Sequence, residues 1–148
     1  MMKRLLILLI AAAGSTAAWA QDAQVDKVIN PPVAPPSIVG TWEVVSINRA
    51  LNGPGLTPAD AKLNAPSRVK FSKITRQEGG TFAGERHMTD GTTEPYVGAF
   101  QTDGKRFIST SATNSGFGMV DGDIMESCFF NISPQQHGVG CSIHRRAK

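Results

Sequence analysis

Asp-Gly pairs recur along this chain at Asp90-Gly91, Asp103-Gly104 and Asp121-Gly122, with Asn52-Gly53 before them. Such pairs accept the positive φ of tight hairpin turns, so they turn the flanking segments back on each other. Between them lie runs rich in Val, Ile, Thr, Phe and Tyr: Ile38–Ile47, Ser67–Ile74, Thr81–Thr89, Pro95–Thr102, Arg106–Thr113, Gly116–Val120, Asp123–Ile132 and Gln136–Arg145. Pro95 fits because it opens its strand. Eight short strands, joined mostly to their sequence neighbours, predict an all-β protein: a small antiparallel up-and-down barrel. At most one short helix, of no more than two turns, is expected within Thr57–Asn64, with Thr57 as its N-cap, Pro58 at its first position and Asn64 at its end.

At 148 residues the chain has room for one domain and a tail. Residues 1–20 read as a secretory signal peptide: Lys3 and Arg4, the apolar run Leu5–Ala13, then Ala18-Trp19-Ala20 before Gln21. The apolar run is short for a bilayer span, so no stable membrane insertion is expected after cleavage. Residues 21–37 hold Pro31-Pro32-Val33-Ala34-Pro35-Pro36, which cannot enter a helix or an inner strand. They read as a disordered arm, and residues 38–148 as the barrel domain. Of 15 Lys and Arg, two leave with the signal peptide, so the rest exceed the 12 acidic residues by one. That balance gives no electrostatic reason for a nucleic-acid or membrane-surface partner. The expected location is periplasmic or secreted. Two cysteines in an exported chain then predict one disulfide, Cys128–Cys141. If they face each other across the last hairpin, Phe130 faces Val139, Ile132 faces His137, and the turn falls on Pro134-Gln135.

Period-two alternation proposes an interior. Tyr96, Gly98, Phe100 and Thr102 share a face, as do Phe107, Ser109 and Ser111. Val69 pairs with Phe71, and Phe117 with Met119. Ile124, Cys128 and Phe130 share parity, and so do Val139, Cys141 and Ile143.

Ile38-Val39-Gly40-Thr41-Trp42-Glu43-Val44-Val45-Ser46-Ile47 resembles the first strand of lipocalin-like domains, whose Gly-x-Trp motif plugs one barrel end. Tyr96-Val97-Gly98-Ala99-Phe100-Gln101-Thr102-Asp103-Gly104 resembles the mid-barrel hairpin of small bacterial lipocalin-like proteins, and Asp121-Gly122-Asp123-Ile124 a later turn of theirs. The resemblance implies a barrel of about eight strands that binds small apolar molecules and is not an enzyme. It also implies an Arg over the Trp, for which Arg145 is the candidate. The second strand departs from the pattern, since Arg68, Lys70 and Lys73 make it polar for a barrel wall. The opening strand is also similar to secreted META-type domains, but their glycine-cysteine-asparagine motif is missing. Periplasmic lysozyme-inhibitor barrels are similar in size.

Reactive chemistry has little to stand on. Asp90, Asp103 and Asp121 are each explained by the turn they open. His137 and His144 have opposite parity on one strand, and His87 lies far from both, so no metal site is expected. No nucleophile elbow, phosphate loop or dinucleotide fingerprint occurs, and no cofactor is expected. Gly79-Gly80 and Gly84 suggest a bent edge strand, or a lid at a barrel mouth. Trp42 reads first as a core plug whose N–H needs a partner, and second as a ligand contact. The expectation is an exported, non-enzymatic binding protein holding a small apolar or amphipathic ligand. Trp42, Phe71, Tyr96, Phe100, Phe107 and Phe130 are its candidate wall. The alternative is a periplasmic protein-binding module, such as an inhibitor of an envelope hydrolase, with a packed barrel and functional loops.

Overall fold

A computed structural model describes residues 34–53, 57–132 and 137–148. The signal-peptide segment, most of the proline-rich arm and the Pro134-Gln135 turn lie outside the described residues. The rest is all-β. The strands are β1 (Gly40–Asn52), β2 (Lys62–Leu63), β3 (Val69–Glu78), β4 (Thr81–Met88), β5 (Thr93–Phe100), β6 (Arg106–Ser111), β7 (Ser115–Asp121), β8 (Ile124–Ile132) and β9 (His137–Arg146). From β3 to β9 each strand pairs antiparallel with the next, and β1 closes the sheet by pairing with both β3 and β9. Eight long strands thus form a closed barrel, and the two-residue β2 lies alongside the end of β1. Closure leaves no long edge open to pairing with another chain.

The three Asp-Gly turns form where sequence put them, with positive φ at Gly91, Gly104 and Gly122, and Gly79 takes positive φ as well. Gly79-Gly80 is the tight link of the β3–β4 hairpin, with Glu78 opposite Thr81, and neither a bent edge nor a lid. Asn52-Gly53 departs from expectation. It ends β1, and the partner Leu51 finds is Lys62, so the connection is wide. The helix shrinks to a 3-10 turn, Pro58–Asp60, in which the Thr57 N–H and hydroxyl both donate to Asp60. Asn64 takes positive φ just after β2.

β1 runs longer than the apolar pattern suggested and carries a bulge between Val44 and Ser46. It meets β3 only over Gly40–Glu43, whereas it follows β9 from Trp42 to Asn52. The barrel wall is therefore complete at one end, and β1 and β3 part towards the other.

Candidate functional site

The complete end is packed shut. Ile38 and Trp42 are fully buried, with Ile74, Phe82, Phe107 and Val120 around them. The Trp42 indole N–H donates to the Ile38 carbonyl at 2.8 Å, which satisfies the polar handle of a buried Trp. The Arg146 guanidinium lies over the indole, 4.4 Å from its centroid. Its nitrogens donate to the Ser37 and Val39 carbonyls at 2.8 Å each and to Asp123 at 3.0 Å. Arg146, and not the exposed Arg145, covers the Trp. The bulge in β1 shifts its pairing with β9 so that Trp42 faces Arg146. Above this plug Phe82 packs edge-to-face on Tyr96, Phe100 and Phe107, with centroids 5.6–6.3 Å apart. A glycine opposite a ring makes this packing possible: a Cβ on Gly98 would sit 2.2 Å from the Phe82 ring, and one on Gly118 2.4 Å from Phe107.

Towards the other end the interior widens into an open cavity of about 800 Å³. This is within the usual range for small-molecule sites, roughly 300–1,000 Å³. Its apolar walls include Val44, Ile47, Val69, Met88, Met125 and Phe129, with Tyr96 and Phe107 towards the floor. Polar groups share the lining. Arg86 lies 4.6 Å over the Tyr96 ring, pairs with Glu94 at 3.2 Å, and donates to Asn114 at 2.9 Å. Burial alone would raise the Glu94 carboxyl, but hydroxyls of Thr113 and Ser111, with Arg86, hold it below its ordinary range. The Tyr96 phenol is pushed up to about 12 by burial, against the pull of Arg86.

His144 is buried on the inner face, with Nε2 2.8 Å from the Ser142 hydroxyl. Burial lowers its pKa to about 4; a Trp42 backbone group pulls the other way, and the Arg86 charge adds a smaller lowering. Among the described residues its Nδ1 has no partner of good hydrogen-bond geometry, and none places a carboxylate behind the imidazole. Ser142 also reaches the Ser127 carbonyl at 3.2 Å. The serine–histidine contact therefore lacks the orienting third group of a nucleophilic triad.

The six aromatic candidates do not form one wall. Tyr96 and Phe107 line the cavity. Trp42 and Phe100 belong to the packed end. Phe71 is turned away from the interior. It stacks on His87 at 4.2 Å, on the face opposite buried Ser72 and Ile74. A bulge between Val69 and Phe71 breaks the parity that had joined them, so Val69 alone enters the cavity. Phe130 is also outside. In β8 and β9 Met125, Ser142 and His144 are buried, while Ile124, Phe130 and Val139 are exposed. The hydrophobic alternation there pointed the wrong way: Ile124, Phe130 and Val139 lie outside, Met125 and Phe129 fill the inner face of β8, and the inner positions of β9 are the small or polar Gly138, Gly140, Ser142 and His144.

That inversion gives the outer face an apolar strip across β5–β9. Val97, Ile108, Phe117, Phe130 and Val139 each expose 45–58% of their surface. A shallow groove of about 650 Å³ runs along it, lined by Val97, Ala99, Ile108, Phe117 and Phe130. Cys128 and Cys141 are directly opposed and disulfide-bonded, with Cα atoms 3.9 Å apart. The expected register follows, with Phe130 opposite Val139 and Ile132 opposite His137. A disulfide of this kind is typical of oxidising, exported compartments.

Asp90 lies at a turn of the open end, and Asp103 and Asp121 at turns of the closed one. Backbone N–H groups of Arg106 and Lys105, then the Arg106 side chain, hold the Asp103 carboxyl near 2. The three histidines stay apart: His87 against Phe71, His137 exposed and His144 inside. Among the described residues the one grouping of possible metal ligands is Glu126 with Cys128 and Cys141, whose sulfurs are bonded to each other. No described helix is long and apolar enough to cross a membrane.

The structure defines a closed antiparallel barrel of eight strands, plugged at one end and hollow at the other, compatible with the lipocalin-like architecture. No protein-family model matches the chain, and no curated protein is similar to it.

Proposed function

We propose that this is an exported, non-enzymatic binding protein that holds a small apolar or amphipathic molecule inside a lipocalin-like barrel. One observation carries the reading: the 800 Å³ cavity opens at the end opposite the Trp42 plug and mixes aliphatic walls with a few fixed polar groups. Affinity would come from apolar burial, at roughly 25 cal/mol per Å². Micromolar binding, near −8 kcal/mol, is the expected strength. The test is a panel of fatty-acid-like and aromatic ligands read by melting temperature. A shift with at least one ligand, reduced by a bulky substitution such as Val69→Trp, supports the reading. No shift across the panel refutes it. Export is tested separately, by the mass of the secreted form, which should begin at Gln21.

The alternative, a protein-binding module, is favoured by the outer apolar strip, since contiguous exposed apolar surface marks interaction sites. Its partner would be an envelope hydrolase. Inhibition of a purified hydrolase that is lost in Phe117→Ser, with the cavity ligands still bound, would give this reading precedence.

A further inference from the structure

The charges lining the cavity do not balance. Arg49, Arg68 and Arg86 face it, against Glu94 alone. Arg86 is held by Glu94, Asn114 and Ser111, all through its Nη1. Among the described residues Arg49 and Arg68 have no such buried carboxylate. Arg49 has no carboxylate partner among the described residues. Its Nη1 donates to the Pro66 carbonyl at 3.0 Å, and its Nε is buried with no partner among the described residues. Arg68 reaches Asp90 at 3.4 Å, across a contact where both side chains are at least half exposed. Such an exposed pair is worth little, about 0–1 kcal/mol. Burial lowers the Arg49 pKa, and the nearby Arg68 charge lowers it further, so the two cations stand close enough to repel. A partly buried, unpaired guanidinium beside a second one is a costly arrangement that an anion relieves.

We infer that the ligand is an amphipath with one anionic head, of the carboxylate class, whose head sits between Arg49 and Arg68 while its apolar body lies against Ile47, Val69, Met88 and Phe129. The inference rests on the cavity-binding reading and adds the head-group chemistry to it. The planar guanidinium of Arg49 offers two parallel N–H donors, which match a carboxylate. Arg68 stands just before β3, beside Val69 at the mouth.

The test compares dodecanoate, dodecanol and dodecylamine below their aggregation limits. Binding to the purified, lipid-free protein is read by calorimetry. Dodecanoate should bind roughly ten- to a hundredfold more tightly than dodecanol, the usual effect of a hydrogen bond to a charged group. Dodecylamine should bind most weakly. Arg49→Gln should shrink the dodecanoate advantage to within about threefold and leave dodecanol unchanged, and Arg49→Lys should restore part of it. Arg68→Gln, at an exposed side chain that does not hold the fold, should reduce the advantage by a smaller factor. Equal binding of dodecanoate and dodecanol to the unaltered protein, or an advantage that survives both glutamine variants, would overturn the anionic head while leaving the cavity reading intact. Failure of all three probes to bind would remove both.

Discussion

The two ends of the barrel are built from the same strands and solve opposite problems. At the closed end every large side chain has a partner. Trp42 bonds to Ile38, Arg146 caps the indole, and Phe82, Phe100 and Phe107 interlock edge-to-face. At the open end the same strands carry Arg49, Arg86 and Glu94 inward, and the interior is left hollow. A chain of this size has few apolar residues to spend. It interlocks Trp42, Phe82, Phe100 and Phe107 at one end, which frees the other from having to be a core.

The largest effect should come from the closed end. Trp42→Ala removes a fully buried side chain and strands Arg146 over a void, so about 3–5 kcal/mol of stability should be lost. Phe100→Ala should cost about 3 kcal/mol, because Phe100 packs on the closed-end cluster. Its dodecanoate affinity should be unchanged wherever the protein remains folded. Urea unfolding measures both, and a weakened ligand with normal stability would move Phe100 to the cavity wall.

His144 sits where the two regions meet, and it should make stability depend on pH. Its folded pKa is about 4, below its ordinary 6.5. As pH falls from about 6.5 to 4 the unfolded chain takes up a proton that the folded protein refuses. The contribution is therefore complete above 6.5 and declines through that window, by about 3 kcal/mol in all. Glu94, whose carboxyl is also held down, adds a further loss at more acid pH. His144→Gln should flatten the profile between pH 6.5 and 4.5. A slope that survives this substitution would assign the effect to another group.

The Cys128–Cys141 bridge lies on the outer face and ties β8 to β9 across a separation of 13 residues. Closing a loop of that length should contribute about 2–3 kcal/mol. The double variant Cys128→Ser/Cys141→Ser should lose that amount on thermal melting. Hydrogen exchange should then rise in the open-end halves of β8 and β9 before it rises around Trp42. Uniform loosening would mean that the two ends unfold as one unit.

Turn chemistry made the fold legible, because Asp-Gly constrains φ whatever surrounds it. The register of the last hairpin was legible for a similar reason: two cysteines fix a pairing. The face of each strand was less legible. In β9 the sequence Val139-Gly140-Cys141-Ser142-Ile143-His144 alternates apolar with small or polar residues, and the ordinary rule sends the apolar set inward. The barrel does the reverse, since Phe129 needs the space over Gly140, where a Cβ would lie 2.8 Å from its ring. Bulges in β1 and β3 moved Arg146 over Trp42 and turned Phe71 outward, and no local pattern announced either. Arg49 escaped notice because one Arg near a strand end looks like any solvated charge. Only the bulge, which breaks the parity running from Trp42 through Val44, brings Arg49 to the inner face.

The smallest effect should mark the sharpest difference between the ends. Met88 lines the cavity at the end of β4, and its side chain is half-buried against space instead of against a neighbour. The cost of a large-to-small change has two parts, the lost transfer energy and the void left behind. At Trp42 the void is sealed, so both parts apply. At Met88 the removed volume joins an open cavity that water already reaches, so the second part vanishes and the first is reduced by exposure. Met88→Ala should therefore cost under about 1.5 kcal/mol, below the usual 2–5 for a buried Met. Dodecanoate should weaken by a few-fold as apolar contact is lost, at roughly 25 cal/mol per Å². Chemical denaturation and calorimetry on one preparation measure the two together. A stability loss near that of Trp42→Ala, with binding untouched, would mean that the open end is packed core after all, and the contrast between the two ends would collapse.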